Sequence, residues 1–592
     1  MEREKLIVAV DFGTTYSGIA FCHSNRKELK DIEVITSWSS NGVAPKVPTE
    51  IRYVDGRDPQ WGAEASLACE RRQAANSAVI YNRFKLLLDV RGGTGLYRDP
   101  GGSKNMSVDD EIKLPRGKSA INVSSDYLRL LYKELMEKIL RRRLPETLDV
   151  TPIHFIFTVP AIWGHQAQQA TKLAAEFAGF RSRPTDTMSL VSEPEAASLF
   201  VLKAMHEANF SRISTAAMPS LNEGDTFVVC DAGGGTVDLI SYEVEQVKPG
   251  FRLREAVIGT GGKCGSSYID EAFIKLLRQK IGPQFDNDRI WNKKDISRGS
   301  ALMKTFDSIK RSFGQTTNNV WYIELPVSVD DDEANGILEN ELEFTEQDLK
   351  QLFDPVVDKV VNLVKSQVTS IHSANKSVSA IFLVGGFGES HYLYTTLVKW
   401  ANTLNPPLTV INPSDSWSAI MRGAVVHALN PAIKSRRLRQ HYGFECCDFF
   451  DPRKHDISRF YQCPFGNRYA KGVVKWSGLM GQDCSEDQEL AFPLQRAITG
   501  RDSLVLAGQT ILYGGKTPTP PMYMENSGVY PVGTISADFS SVSLDELPST
   551  YQHNIKYYQL AYEVRMKLRS ADIEFSVWLK GKCVGKASIS YK

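Results

Sequence analysis

Residues 7–15 read IVAVDFGTT and residues 227–236 read FVVCDAGGGT, and these two stretches decide the fold. In each, an apolar run typical of a buried strand ends in an aspartate, Asp11 or Asp231, and a turn of glycine and threonine follows. A second apolar strand comes next, at residues 19–21 or 237–242. Two strand–turn–strand units about 220 residues apart, with the aspartate in the same place, predict a duplicated fold.

The rest of the first 430 residues alternates between helical and strand patterns. Apolar residues at helical spacing predict helices over 124–140, 166–177, 304–313 and 346–368. Short apolar runs predict strands at 153–159 and 381–384. This alternation is typical of an α/β protein with mixed sheets.

The sequence changes character after about residue 430. The basic segment at 434–440, KSRRLRQ, is interpreted as a linker or a solvated face rather than an anion-binding patch. Residues 514–521, GGKTPTPP, predict a loop. Alternating runs predict an antiparallel β module from four strands: 533–542, 560–568, 573–579 and 582–591.

The composition excludes several classes of protein. Of the 592 residues, 70 are Lys or Arg and 69 are Asp or Glu, so bulk charge does not favour a nucleic acid or an anionic membrane as partner. No apolar run approaches the ~18 residues of a membrane span, so no span is expected. The nine cysteines are scattered without metal or redox spacing. We expect a cytoplasmic protein, with a nuclear location also open.

The two glycine–threonine turns have the chemistry of a phosphate site. Glycine has no Cβ, so backbone N–H groups can approach phosphate closely, and the hydroxyls of Thr14, Thr15 and Thr236 add short donors. Asp11 and Asp231 would repel phosphate directly, but each can orient water around Mg²⁺. The alternative is that both turns are ordinary tight hairpins without a ligand. The presence of two such turns favours a nucleoside triphosphate bound between them.

Both turns resemble phosphate loops of a known family, the seventy-kilodalton heat-shock (Hsp70) chaperones. The matching segments are DFGTTYSG at 11–18 and DAGGGTVD at 231–238. Further segments resemble the family in the same order: FTVPA at 157–161, QAT at 169–171, SEPEAA at 192–197, the glycines at 261, 262 and 265 with Asp270, DSIKR at 307–311, LVGG at 383–386, and 411–424. The resemblance implies an actin-like ATPase with duplicated RNase H-like lobes, residues 1–225 and 226–430, followed by a divergent β-rich region, 431–592.

The resemblance also implies roles for individual residues, with ATP or ADP and Mg²⁺ as cofactors. Asp11 and Asp231 would hold the hydrated Mg²⁺, and Lys85, Glu193, Asp238 and Thr236 would serve catalysis. The implied nucleotide contacts are Gly13, Thr14, Thr15, Tyr16, Gly233, Gly234, Gly235, Gly262, Gly265, Asp307, Lys310, Arg311, Gly385 and Gly386. Plainer interpretations stay open: Lys85 reaching solvent from a helix face, Glu193 as a helix-start carboxylate, and the charges at 307–311 as an exposed helix face.

Two departures from the family pattern bear on function. Glu389 stands in a segment, FGES at 387–390, where the family carries an arginine that packs on the base. After residue 430 there is no acidic, leucine-rich linker and no recognisable peptide-binding domain, as in a divergent heat-shock-like branch that lacks it.

The function implied by the resemblance is an ATP-binding, slowly hydrolysing chaperone-like protein with a protein client and co-chaperones. The alternative is a nucleotide-gated or inactive scaffold that binds partners through its C-terminal module. A sugar or polyol kinase is less favoured, because no catalytic carboxylate and polyol pocket can be identified. An actin-like filament former is less favoured still.

Overall fold

The structure is a computed structural model in which the chain forms two compact units. Met1–Leu253 with Gly259–Ala432 form the first unit, and Arg254–Ile258 with Ile433–Lys592 form the second. Strand Arg252–Gly262 therefore contributes its ends to the first unit and its centre to the second. The residues that the structure describes are 4–39, 41–54, 56–70, 79–89, 112–207, 221–247, 250–287, 291, 295–296, 298–315, 320–413, 415–571 and 573–591.

One sheet of the first unit is built on an antiparallel hairpin, named here the first hairpin, of strands Leu6–Phe12 and Tyr16–His23. Every residue of Leu6–Phe12 is buried, which explains why residues 6–10 are continuously apolar rather than alternating with polar residues. Its other neighbour, Ile153–Val159, runs parallel to it. The remaining strands of the sheet are Thr187–Ser192, Glu33–Val34 and Val47–Pro48.

A second sheet repeats this arrangement. The second hairpin consists of Thr226–Ala232 and Val237–Gln246, and Val378–Val384 lies parallel to its first strand, followed by Thr409–Ile411. Each hairpin therefore has a parallel third strand beside its first strand. This common topology is what the repeated sequence pattern predicts, and both hairpins lie where the apolar runs place them.

Helices cover the sheets of the first unit at the predicted places, with shifted ends. The helix predicted from residue 124 begins at Ala120, because Ser119 and Asn122 form a reciprocal cap, and its last turns, Glu134–Leu140, are a π-helix. The α-helices are Gly62–Glu70, Ala120–Lys133, Arg141–Arg143, His165–Ala178, Glu193–His206, Ser267–Ile281, Ala301–Ser312, Glu346–Ser373, His391–Ala401 and Ala419–Leu429.

Short elements complete the first unit. The short strands are Ser37–Trp38, Asn41–Val43, Glu50–Arg52, Gln60–Trp61, Tyr81–Asn82, Val320–Glu324, Ile337–Leu338 and Glu341–Thr345. The 3₁₀-helices are Leu29–Asp31, Phe84–Leu88, Gly282–Asp286 and Glu333–Asn335. None of the described helices is both long and apolar enough to cross a membrane.

Two helices pack closely in the core beneath both hairpins. Glu193–His206 and Ala419–Leu429 are in contact, and the backbones meet at Gly423. A Cβ at Gly423 would overlap the carbonyl group of Ala196, so only glycine allows this approach. The close packing fixes the helix whose first residue is Glu193.

The second unit is β-rich, as predicted. Its sheet has the strand order Phe460–Gln462, Arg468–Gly478, His441–Phe449, Val505–Gly515, Val529–Asp538, Lys582–Tyr591, Ile573–Leu579, Ile555–Leu568 and Glu489–Ile498, with Ser549–Gln552 beside Ile555–Leu568. All of the pairings described in it are antiparallel. The 3₁₀-helices are Ile457–Arg459, Arg501–Leu504 and Leu544–Glu546.

Two predictions for the second unit need correction. The basic segment 434–440 is neither a linker nor a solvated face, because Ile433–Arg437 is a strand paired with Asp483–Ser485, and Arg436 is buried. The carboxylate of Glu255 accepts hydrogen bonds from the backbone N–H of Arg437, at 3.0 Å, and from the Arg439 guanidinium, at 3.1 Å. The predicted loop at 514–521 is shorter, because strand Val505–Gly515 includes its first two residues.

Candidate active site

The turns of the two hairpins face each other across a cavity of the first unit. The cavity has a volume of about 460 Å³, and both turns, residues 13–15 and 233–236, line it. The turns also touch directly: a Cβ at Gly235 would lie 2.7 Å from Thr14 Oγ1, and one at Gly234 would overlap the side chain of Thr15. The volume is typical of a small-molecule site. The glycines of the two turns expose backbone N–H groups and the threonines add hydroxyl groups, and both suit an anionic group.

The carbonyl groups of both turns are engaged with protein donors. In the first turn, Thr49 donates its hydroxyl to Gly13 O at 2.9 Å and its backbone N–H to Thr15 O at 2.9 Å. In the second, the carbonyls of residues 233, 234 and 235 accept from the backbone N–H groups of residues 266, 267 and 265, at 2.9–3.3 Å. These bonds hold both turns in place and compensate the carbonyl oxygens, which would otherwise repel an anion.

Asp11, at the end of its strand, is buried and has a donor on each carboxylate oxygen. The Lys46 ammonium lies 2.5 Å from Asp11 Oδ2, and the Thr158 hydroxyl donates to Oδ1 at 2.9 Å. Thr158 is on the parallel neighbour strand Ile153–Val159, and Lys46 lines the cavity. Neither partner was found from the sequence.

Lys85 and Glu193 form a second buried ion pair at the cavity. Lys85 Nζ lies 2.7 Å from Glu193 Oε1, and the side chains are 1% and 10% exposed. Lys85 is on the 3₁₀-helix Phe84–Leu88, and its ammonium lies 5.2 Å from the ring centre of Trp163. The alternative in which Lys85 reaches solvent from a helix face is therefore wrong. Glu193 does begin a helix, but its carboxylate is buried against a lysine.

Asp231 and Asp238 face each other across the ladder of the second hairpin. Burial, and next the nearby carboxylate of Glu193, raise the pKa of both: that of Asp231 lies well above its usual range, and that of Asp238 rises to about 7. Burial also raises the pKa of Glu193, although Lys85 opposes this. The site thus concentrates carboxylates with raised pKa, which is common where catalysis needs a base near neutral pH.

The carboxylate of Asp231, which lines the cavity, suits a bound cation, whereas Asp238 is not among the residues that line it. Among the residues that the structure describes, Asp231 Oδ1 and Asp238 Oδ2 are buried and have no hydrogen-bond donor. Buried anionic oxygens are stabilised by a cation, and carboxylate oxygen or its bound water is the ligand that Mg²⁺ prefers. The Asp231 side of the cavity therefore fits Mg²⁺. Asp11 could bind the same ion only after it lost its contact with Lys46 or Thr158.

The predicted glycines occupy different places. Gly385, where φ is +85°, lies so close to the carboxylate of Asp231 that only glycine fits, and it lines the cavity with Gly386. Gly262 and Gly265 are not among the residues that line it. Gly265 packs behind the second turn, and Gly262 is beside the side chains of Leu363 and Cys264.

Helix Ala301–Ser312 supplies a charged wall on the far side of the cavity. Asp307 lies 3.2 Å from Lys310 Nζ and 2.8 Å from Arg311 Nε, and Lys310 also pairs with Asp270. Burial opposes ionisation of Asp307, but the two cations outweigh it and lower the pKa of its carboxyl group. The interpretation as a fully exposed helix face is wrong for Lys310, which is 8% exposed.

Aromatic side chains complete this wall. The rings of Tyr16 and Trp417 meet edge to face at 5.6 Å, with Arg298 over Tyr16 and Arg311 over Trp417. Glu389 also lines the cavity, and its Oε1 accepts hydrogen bonds from the Ser416 hydroxyl and the Trp417 backbone N–H, both at 3.2 Å. Stacking faces and charged groups on one wall suit a planar heterocycle joined to a polar group.

Comparison with known proteins identifies this arrangement. The sequence profile of the Hsp70 protein family matches residues 7–432, which is most of the chain and contains every residue of the site. The chain belongs to the Hsp70 family. Its first unit therefore has the actin-like ATPase fold of the Hsp70 family, and the resemblance seen in the sequence is confirmed. The profile ends at residue 432, and the larger segment of the second unit begins at Ile433.

The relatives within the Hsp70 family place the chain in a divergent branch. It is 25% identical to heat shock 70 kDa protein 12A of Homo sapiens over 92% of this chain and 86% of that protein. It is also 25% identical to human heat shock 70 kDa protein 12B, over 76% of this chain and 72% of that protein. A chaperone protein HscA homolog of Pseudomonas putida is 26% identical over 65% of this chain and 52% of that protein. These similarities support a nucleotide-binding protein of the Hsp70 type.

Proposed function

We propose that the first unit binds Mg-ATP between the two turns and hydrolyses it slowly, as two lobes, residues 1–225 and 226–430, close on it. The observation that carries this proposal is the cavity lined by both turns, with the Lys85–Glu193 ion pair beside them. Phosphoryl transfer needs positioned groups and compensation of charge more than covalent chemistry, and these residues supply both.

The phosphates would lie at the turns. Backbone N–H groups of residues 13–15 and 234–236 and the hydroxyls of Thr14, Thr15 and Thr236 would be the donors there, whereas the Gly233 N–H closes the second turn on the Thr236 carbonyl. Asp231 would hold the hydrated Mg²⁺, with Asp11 reaching it from the opposite turn after exchange of a partner. Mg²⁺ would neutralise phosphate charge and so assist departure of the leaving group.

Hydrolysis would use the four predicted catalytic residues. Lys85 carries its charge into the cavity and would stabilise the terminal phosphate, and Glu193 holds the Lys85 ammonium in place. Asp238 is a base whose pKa, about 7, suits acceptance of a proton from water near neutral pH. Thr236 would orient the water by its hydroxyl.

The nucleoside would occupy the charged and aromatic wall. Asp307 can accept hydrogen bonds from ribose hydroxyls, and Lys310 and Arg311 hold its carboxylate ionised. Gly386 leaves the Trp417 ring accessible beside the base, and Tyr16 closes the wall from the first hairpin. These contacts favour a purine nucleotide over inorganic phosphate alone.

The second unit would bind a protein client, with co-chaperones acting on the nucleotide cycle. Phe449, Ile457 and Phe460 are exposed there, at 67%, 75% and 40%. Exposed apolar side chains can bind a partner without ATP turnover, so the alternative is a nucleotide-gated or inactive scaffold that acts through the second unit.

Calorimetric titration with Mg-ATP and Mg-ADP, paired with phosphate release, tests the proposal. We expect binding and slow release by the wild-type protein, both lost in Asp231→Ala. Asp487→Asn is the control, because Asp487 is 96% exposed and outside the site. Binding without release would favour the nucleotide-gated scaffold, and no binding at millimolar nucleotide would remove the ATPase and leave the inactive scaffold.

A further inference from the structure

The two halves of the site differ in how their aspartates are compensated. Each aspartate is the last residue but one in the first strand of its hairpin, and each hairpin has a parallel third strand beside that strand. In the first half, Thr158 on the third strand donates to Asp11 and Lys46 pairs with it. In the second half, Val384 stands opposite Asp231, and Asp231 Oδ1 has no donor among the described residues.

Lys46 is built into the first half rather than lying on its surface. Its side chain is 6% exposed, and it immediately precedes strand Val47–Pro48, which pairs with the second strand of the first hairpin. Gly18 is the residue opposite Asp11 in the ladder, and a Cβ there would lie 2.9 Å from Lys46 Cγ. The glycine therefore leaves the space that the lysine stem fills.

The position of the ammonium gives it a second use. Lys46 Nζ has three N–H donors, and Asp11 Oδ2 is the acceptor described for it. Lys46 also lines the cavity with Thr14 and Thr15 of the first turn. A phosphate at that turn would meet a fixed ammonium, and ammonium–phosphate hydrogen bonds are charge-assisted.

We propose that Lys46 is a built-in counter-ion at the first turn, which makes nucleotide binding nearly independent of Mg²⁺. This inference rests on the proposed nucleotide site and adds how its charge is balanced. A divalent cation shared by Asp11 and Asp231 would neutralise both carboxylates and the phosphates together. Here the lysine already neutralises Asp11 when Mg²⁺ is absent, so Mg²⁺ on the Asp231 side serves hydrolysis more than affinity.

The test measures binding of ATP and ADP by calorimetry in Mg²⁺ and again in excess EDTA. For the wild-type protein we expect the two dissociation constants to differ by less than about tenfold, because the ammonium is present in both media. For Lys46→Met we expect affinity in EDTA to fall by at least about a hundredfold and to recover largely when Mg²⁺ is added. Lys46→Arg keeps the charge and should retain binding in EDTA, and Lys350→Met, on a half-exposed helix face, is the control.

Each outcome decides the inference. Loss of wild-type binding in EDTA by about a hundredfold or more would overturn it and leave the nucleotide site in place. Equal Mg²⁺ independence of wild type and Lys46→Met would also overturn it, because another group would then be the counter-ion. Failure of wild type to bind in either medium would remove the proposed function as well. Should Lys46→Met fail to fold, the wild-type comparison alone decides.

Discussion

Removal of the Lys85 ammonium tests the most buried ion pair of the site. At 2.7 Å, the attraction between Lys85 and Glu193 is about 6 kcal/mol for an effective dielectric constant of about 20, and the cost of burying both charges offsets most of it. Lys85→Met leaves the Glu193 carboxylate buried without its cation. Loss of one partner of a buried pair costs about 3–5 kcal/mol, so we expect the free energy of unfolding to fall by that amount at pH 8.

A double-mutant cycle separates the pair from the packing of its side chains. Glu193→Gln removes the uncompensated charge, so the double variant should regain about half of the stability that Lys85→Met loses. The matched control is Lys350 with Glu346, which also lie 2.7 Å apart but are each 43% exposed. Removing that cation should cost less than about 0.5 kcal/mol, because solvent screens an exposed pair.

Urea unfolding of the full chain, followed by tryptophan fluorescence, measures these differences. Within the transition of the first unit, equal slopes against urea would indicate that the variants change stability rather than compactness. The reasoning fails if Lys85→Met costs no more than Lys350→Met, or if Glu193→Gln adds a further loss instead of a recovery. Phosphate release should stay absent in the double variant even where stability recovers, because the proposed role of Lys85 needs its charge.

Three further perturbations test other parts of the site. Gly385→Ala has no room for its methyl group and needs φ of +85°, so nucleotide affinity measured by calorimetry should fall at least about tenfold, whereas Gly500→Ala, in open space, should change nothing. Because burial raises the pKa of Asp238 to about 7, the rate of phosphate release should rise about tenfold per pH unit below pH 7 and level off above it; an Asp238→Asn variant with the same profile would contradict this. Trp417→Ala should weaken ATP binding about tenfold and leave pyrophosphate binding unchanged, and an equal loss for both ligands would exclude a stacking role.

The hairpins and their order could be predicted because their signal is local. A strand buried on both faces is typically a continuous apolar run, as in residues 6–10 and 227–230. The glycines of the second turn could be predicted as part of a phosphate-binding turn, but the steric reason for two of them is not local, because the side chains of Thr15 and Thr14 exclude a Cβ at Gly234 and Gly235. Lys85 and Glu193 could be named by resemblance, although they are 108 residues apart.

Other residues of the site have no local signal. Lys46 reaches Asp11 because the two-residue strand Val47–Pro48 pairs with Tyr16–His23, and no motif surrounds it. Trp417 is placed by its hydrogen bond to Glu389, so the acid that breaks the family pattern could be interpreted only once its partner was seen. Arg298 is likewise placed by packing, over the ring of Tyr16.

The basic segment at 434–440 shows why a charge run can mislead. Its neighbours in sequence offer no compensating acid, which is the usual sign of a solvated stretch. The compensating carboxylate, Glu255, is 182 residues before Arg437 and reaches it through strand pairing. Long-range pairing of this kind cannot be derived from composition or periodicity.

The direct contact between the turns has a consequence for how a duplicated protein can form one site. Thr14 and Thr15 fill the space that a side chain at Gly235 or Gly234 would need. Two turns that both carried threonines at these positions would collide, and two turns with glycine at these positions would leave empty the space that Thr14 and Thr15 fill. When two copies of a motif bind one ligand between them, the residues where the copies touch must therefore differ in sequence. This difference is a steric requirement. Small residues in one turn and larger residues in the other allow the two turns to pack against each other.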